Sequence, residues 1–118
     1  MTNVVTLFFS APGPALQREP GAQLNLVTKV TGRALLYPET GKINLIYRVT
    51  VDLYISNQRY GPCEKPIDIT FKLFDERDCL LDSFTVTYVK DGNHDNVFSL
   101  DEKILLRTKK IFAAVKYS

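Results

Sequence analysis

One segment of the sequence, from Asp91 to Glu102, carries oxygen-bearing side chains at a spacing that suits a metal ion. Its candidate ligands are Asp91, Asn93, Asp95, Ser99 and Glu102. Counted from the first, they stand at ligand positions of an EF-hand calcium loop, where alternate side chains of a tightly curved loop converge on a hard cation. Calcium is therefore the one cofactor that the sequence suggests.

Two features of this segment differ from an EF-hand. Asn96 stands where the EF-hand has a glycine, although asparagine tolerates the same left-handed backbone. An EF-hand also needs a helix on each side, whereas the residues from Phe84 to Tyr88 alternate like a strand. Because Asp, Gly and Asn are also the residues that ordinary turns use, the sequence favours a solvated turn over 91–102. A calcium-stabilised domain is the alternative.

The sequence shows no catalytic arrangement around its single histidine, His94. The candidate nucleophiles are Cys63 and Cys79, and no spacing places either beside it. Two cysteines and one histidine are also too few ligands for a zinc site. The acidic residues of one polar turn are expected to project into water: Asp75, Glu76, Asp78 and Asp82. We expect no enzymatic activity; the enzyme alternative would use His94 as acid or base.

The composition is that of one ordinary globular domain spanning residues 1–118, with 45% hydrophobic and 24% charged residues. The net charge of +2 gives no bias towards nucleic acid. A local excess of basic residues falls near the C-terminus: Lys103, Arg107, Lys109, Lys110 and Lys116. Because few aromatic residues lie beside them for base stacking, we do not expect nucleic-acid binding.

The sequence predicts a cytoplasmic location. The stretch Met1–Phe9 lacks the basic region and the apolar length of a signal peptide, and no segment is long and apolar enough for a membrane span. A strand candidate, Ile67–Phe74, separates Cys63 from Cys79. Since the ends of a strand lie too far apart for a disulfide, we expect two free thiols.

Alternating apolar and polar residues predict a first strand over 3–9 and a long hairpin over 23–37 and 43–55. The turn Pro38–Gly41 suits a left-handed glycine. The alternation becomes unclear at Gly32, where we expect a bulge. Proline-rich residues between 10 and 21, and residues 56–62, are predicted to be loops.

A second hairpin is predicted over 67–74 and 84–88. Within it, Phe71-x-Leu73-Phe74-Asp75, then a turn, Leu80 and Phe84, resemble the Phe-x-Leu-Tyr-Asp pattern of some bacterial immunoglobulin-like sandwich domains. The resemblance covers this hairpin alone. It implies a sandwich fold and no chemistry.

The C-terminal residues fit two structures. Ser99–Glu102 matches a helix capping box, whereas Ile111, Ala113, Val115 and Tyr117 alternate like a closing strand, which we favour. The predicted fold is thus all-β, a single antiparallel sandwich of about seven strands, immunoglobulin-like. The alternative is an α+β fold with a helix at about 100–116.

These observations predict a non-enzymatic protein-interaction module that self-associates, as a dimer, or binds a protein partner through a sheet edge or loops. The candidate contact aromatics are Tyr47, Tyr54 and Tyr60. The alternatives are the calcium-stabilised domain and a sandwich that binds a small ligand between its sheets.

Overall fold

The computed structural model describes residues 4–13 and 24–118 and the backbone of residues 16–19. Within these residues the chain forms nine strands and one short helix, α1 (Glu102–Arg107). The strands are β1 (Val5–Pro12), β2 (Leu16–Glu19), β3 (Leu24–Tyr37), β4 (Lys42–Ile55), β5 (Gln58–Pro62), β6 (Ile67–Phe74), β7 (Leu80–Val89), β8 (Gly92–Ser99) and β9 (Lys110–Tyr117). No helix among the described residues is long and apolar enough to cross a membrane.

The strands form two antiparallel sheets. In the larger sheet the hairpin of β3 and β4 is central, with β1 and β2 paired along β3 and with β8 and β5 paired along β4. The smaller sheet has the order β7-β6-β9. Because β9 also contacts β1, the two sheets approach each other on that side. The edge strands are β1, β2, β5 and β8 of the larger sheet and β7 and β9 of the smaller sheet. The fold is an all-β sandwich, as predicted; its immunoglobulin-like character stays a prediction.

The core lies between the sheets and is built by alternate residues of each strand. The odd residues of β4 from Ile43 to Val51 are buried, as the period-two pattern predicts, and so are the odd residues of β6. Phe71 of β6 is fully buried, and its ring centroid lies 5.4 Å from those of Phe9 and Tyr47. These three rings join β1, β4 and β6 into one core.

The bulge predicted at Gly32 is not present. The register of β3 against both β1 and β4 runs without a shift through this residue. Gly32 occupies an inward position opposite Tyr47, and a Cβ atom there would lie 2.5 Å from that of Tyr47. The alternation of apolar and polar residues is unclear here because Gly32 leaves one inward position of β3 without a side chain. No extra residue is inserted into the strand.

The predicted loop over 56–62 is instead a turn followed by a strand. Ser56 and Asn57 have φ values of 51° and 67°, and they join β4 to β5 as a two-residue hairpin turn. Both positive φ values are typical of a type I′ turn, for which Asn is a favoured residue. The predicted left-handed Gly41, with φ of 69°, is confirmed.

The remaining predictions for the chain ends are confirmed in part. Strand β9 forms as predicted, and the short helix α1 precedes it. The N-cap of α1 is Asp101 rather than the predicted Ser99, since Asp101 Oδ1 accepts a hydrogen bond from Lys103 N–H. The predicted loop over 10–21 is wrong where Ser10–Pro12 continues β1 and where 16–19 forms β2. Pro14, Pro20 and Gly21 lie outside the described residues.

Candidate functional site

The candidate calcium ligands do not lie on a curved loop. Gly92–Ser99 is extended as strand β8, so that Asn93, Asp95 and Ser99 follow one another along its exposed face, and Glu102 begins α1. A strand rises about 3.3 Å per residue, which keeps alternate side chains apart. Among the described residues no group of three or more His, Cys, Asp or Glu side chains is placed to hold a metal ion. Calcium binding stays a prediction.

Asp91 has a structural partner in the larger sheet. Strand β8 pairs with β4 up to Val49, and β5 resumes the pairing at Asp52. Between them the Val51 N–H donates to Asp91 Oδ2 at 2.8 Å, and the Val51 carbonyl accepts from Cys63 N–H at 2.7 Å. The carboxylate of Asp91 therefore occupies the place that a neighbouring strand would otherwise take.

We expect Asp91→Ala to lower the free energy of unfolding by about 1.5–3 kcal/mol, because it leaves a Val51 N–H without its charged acceptor. Urea unfolding monitored by circular dichroism measures the change. Asp95→Ala is the matched control: Asp95 is exposed, and its removal should change stability by less than about 0.5 kcal/mol. Equal losses in both variants would contradict this role of Asp91.

Adding millimolar calcium to the same proteins tests the calcium prediction through the melting temperature.

His94 lies on the inward side of β8, opposite Tyr47, and not on a turn. Its ring stacks on that of Tyr47, with centroids 5.6 Å apart, and its Nε2–H donates to the carbonyl of Lys90 at 2.6 Å. The Tyr47 hydroxyl donates to Asn96 Oδ1. Burial, assisted by the nearby charge of Asp95, raises the pKa of Tyr47 to about 12, so its hydroxyl stays protonated at neutral pH.

The three candidate contact tyrosines have different surroundings. Tyr47 belongs to the core and is 3% exposed, so its side chain is not available at the surface. Tyr54 is half-buried on the outer face of β4, and Tyr60 is 75% exposed at an irregular position of β5. Tyr88, which was not among the candidate contact residues predicted from the sequence, is also 75% exposed.

The sequence predicted that the carboxylates of the second hairpin turn project into water, and this prediction is wrong for Asp75. Asp75 is buried, and its Oδ1 accepts hydrogen bonds from the N–H groups of Cys79 and Arg77 at 3.0 and 2.8 Å. Its Oδ2 lies 3.2 Å from the Arg107 guanidinium. The Cys79 hydrogen bond, with those of Arg77 and Arg107, lowers the pKa of Asp75. Asp75 therefore organises this turn.

The thiols of Cys63 and Cys79 are free, as predicted.

The outer edge of β7 is the candidate interaction site. β7 pairs with β6 on one side and ends the smaller sheet on the other. Its register is regular from Asp82 to Val86, with irregularities on both sides of that stretch. Leu80 and Tyr88, just beyond the regular stretch, are exposed, and Tyr88 has a positive φ of 55°. Edge N–H and C=O groups without a ladder partner are the template to which another strand pairs.

Three of the other edge strands carry charges, which protect against such pairing, whereas the uncharged edge strand β1 lies in contact with β9 of the smaller sheet. Strand β8 has Asp95 near its middle, β9 has Lys110 and Lys116, and β5 has Arg59 and ends on Pro62. In contrast, β7 consists almost wholly of apolar residues, serine and threonine, with Asp82 its sole charged residue. It also contains no lysine, glycine or proline. Of these edges, β7 is thus the least protected.

The comparisons with known proteins give no relative for this chain. No family model, no curated protein and no solved structure matches it.

Proposed function

We propose that this domain is a non-enzymatic protein-interaction module that self-associates by pairing the β7 edge of one copy with the β7 edge of a second. The open, nearly uncharged edge of β7 is the observation that carries the proposal. Pairing would join two three-stranded sheets into one six-stranded sheet. Each new backbone hydrogen bond satisfies a group that otherwise faces water.

The arrangement of β7 favours an antiparallel pair whose two-fold axis passes through Phe84. This residue is the middle of the regular stretch Asp82–Val86, so both copies contribute that whole stretch. Each Asp82 then faces a Val86, and like charges do not oppose each other. Beyond each end of that stretch, the exposed Leu80 of one copy comes near the exposed Tyr88 of the other, which gives both side chains an apolar neighbour.

Thr85→Lys tests the proposal, because a lysine on the edge strand brings two positive charges close to the two-fold axis. The matched control is Thr70→Lys on β6, since the Oγ1 atoms of Thr70 and Thr85 are hydrogen-bonded to each other at 3.0 Å. Both variants lose that hydrogen bond and gain one charge, and they differ in their distance from the edge. We expect Thr85→Lys to raise the dimer dissociation constant at least about ten-fold and Thr70→Lys to change it little.

Light scattering over a range of protein concentrations, with calcium and with a chelator, provides the solution mass for each protein. A wild type that stays monomeric throughout would refute self-association. A dimer that Thr70→Lys and Thr85→Lys weaken equally would place the interface on the sheet face instead of the edge. A dimer that forms in the presence of calcium but not with the chelator would favour the calcium alternative.

A further inference from the structure

The outer face of the larger sheet carries a shallow depression with a volume of about 240 Å³. Strands β3, β4 and β8 form it, and its outward side chains include Thr31, Arg33, Ile46, Arg48 and Asn93. It lies on the sheet that does not contain β7. A ligand there and a partner at the β7 edge would therefore occupy separate surfaces.

Two arginines flank this depression and lie close together because of the strand register. Arg33 is opposite Ile46 and Thr31 is opposite Arg48, so the two arginines are diagonal neighbours on one face. Diagonal Cβ atoms on adjacent antiparallel strands are about 7–8 Å apart or somewhat less, within the reach of two guanidinium groups towards one ligand. Both arginines are exposed.

Neither arginine forms an ion pair within 4 Å with a carboxylate of the described residues. The acidic residue nearest in register is Asp95, which is opposite Ile46 and hence diagonal to Arg48. Glu19 pairs through its backbone with Leu24, which the strand rise places about 30 Å along β3 from Arg33. Two neighbouring guanidinium groups without bound carboxylates attract an anion.

We propose that the depression between Arg33 and Arg48 is a binding site for an oxyanion of the phosphate or carboxylate type. The two guanidinium groups supply the charge and paired N–H donors, and the Thr31 hydroxyl and Asn93 amide add neutral donors. Phe8 of β1 is directly opposite Arg33 of β3 and is 77% exposed. Its ring extends the site with apolar surface, so the preferred ligand is an oxyanion attached to an apolar group.

Titration of the ¹⁵N-labelled protein with phenyl phosphate, inorganic phosphate and benzoate tests this site at constant ionic strength. We expect saturable shifts of the amide signals of 31–33 and 46–48, with a dissociation constant for phenyl phosphate on the order of 1 mM. Inorganic phosphate should bind more weakly because it lacks the apolar ring. Tighter binding of benzoate than of phenyl phosphate would identify carboxylate as the source of the oxyanion, and the reverse order would identify a phosphoryl group.

Arg33→Gln and Arg48→Gln should each weaken binding at least about ten-fold. Arg77→Gln is the control, because it removes the same charge from the β6–β7 turn; Thr85→Lys should also retain binding, whatever its effect on the dimer. Amide shifts that do not saturate would overturn the site. A loss with Arg77→Gln equal to those with the other two variants would also overturn it, as that result would show general attraction to positive charge.

Discussion

Replacing Phe71 by alanine is expected to lower the free energy of unfolding by about 3–5 kcal/mol. Phe71 is fully buried, and its ring packs on Phe9, Tyr47 and Phe84, with centroids 5.4, 5.4 and 6.2 Å away. Its removal would leave a cavity where β1 and β4 of one sheet meet β6 and β7 of the other. The neighbouring strands are held by backbone ladders and cannot close such a cavity fully.

Chemical denaturation of Phe71→Ala and Phe112→Ala separates this role from a general effect of removing an aromatic ring. Phe112 is 55% exposed on β9 and its ring contacts only the edge of Phe74 among the aromatic rings of the described residues, with centroids 5.4 Å apart, so its truncation should cost about 1–2 kcal/mol. Similar losses in the two variants would contradict the placement of Phe71 at the centre of the core.

Gly32→Ala is expected to cost at least about 3 kcal/mol, although it adds one methyl group. The new Cβ would lie 2.3 Å from the Ile46 carbonyl oxygen and 2.6 Å from the Tyr47 Cα. Both atoms belong to the β4 backbone, so no side-chain rotation relieves the clash and the central hairpin must separate. Gly32 thus allows the close approach of β3 and β4.

The control for Gly32→Ala is Gly92→Ala. Gly92 has a φ of 134°, and nothing lies within 4 Å of its ideal Cβ, so that alanine suffers backbone strain without a clash. Its cost should be about 1–2 kcal/mol. If thermal and urea unfolding show Gly32→Ala to be no more destabilising than Gly92→Ala, that result would contradict the claim that β3 and β4 approach too closely at Gly32 for a Cβ atom.

The parts of the fold that were predictable from the sequence depend on local alternation. The run from Ile43 to Val51 has a period of two and becomes the buried face of β4, and Gly41 closes the hairpin. The segment 92–99 was misread as a turn because Asp, Asn and Gly dominate it. Pairing with β4 overrides that local preference, as β-propensity depends strongly on neighbouring strands.

The roles of individual polar residues were harder to predict, since their partners lie far away in sequence. Asp91 supports Val51, forty residues earlier. Asp75 turns inward because two N–H groups of its own turn and Arg107 of α1 converge on it. The neighbouring positions of Arg33 and Arg48 follow from the register of β3 and β4, which composition does not specify. Such contacts depend on tertiary structure rather than on local pattern.

Amide hydrogen exchange of the wild-type protein at low and high concentration tests the proposed self-association through β7 most directly. We predict that amides within Leu80–Val89 exchange more slowly as concentration rises, because outward N–H groups of β7 gain partners in the second copy. Amides of a charged edge strand, β8 (Gly92–Ser99), should exchange at unchanged rates. Exchange in β7 that is independent of concentration, or protection that appears in β8 instead, would contradict the proposal.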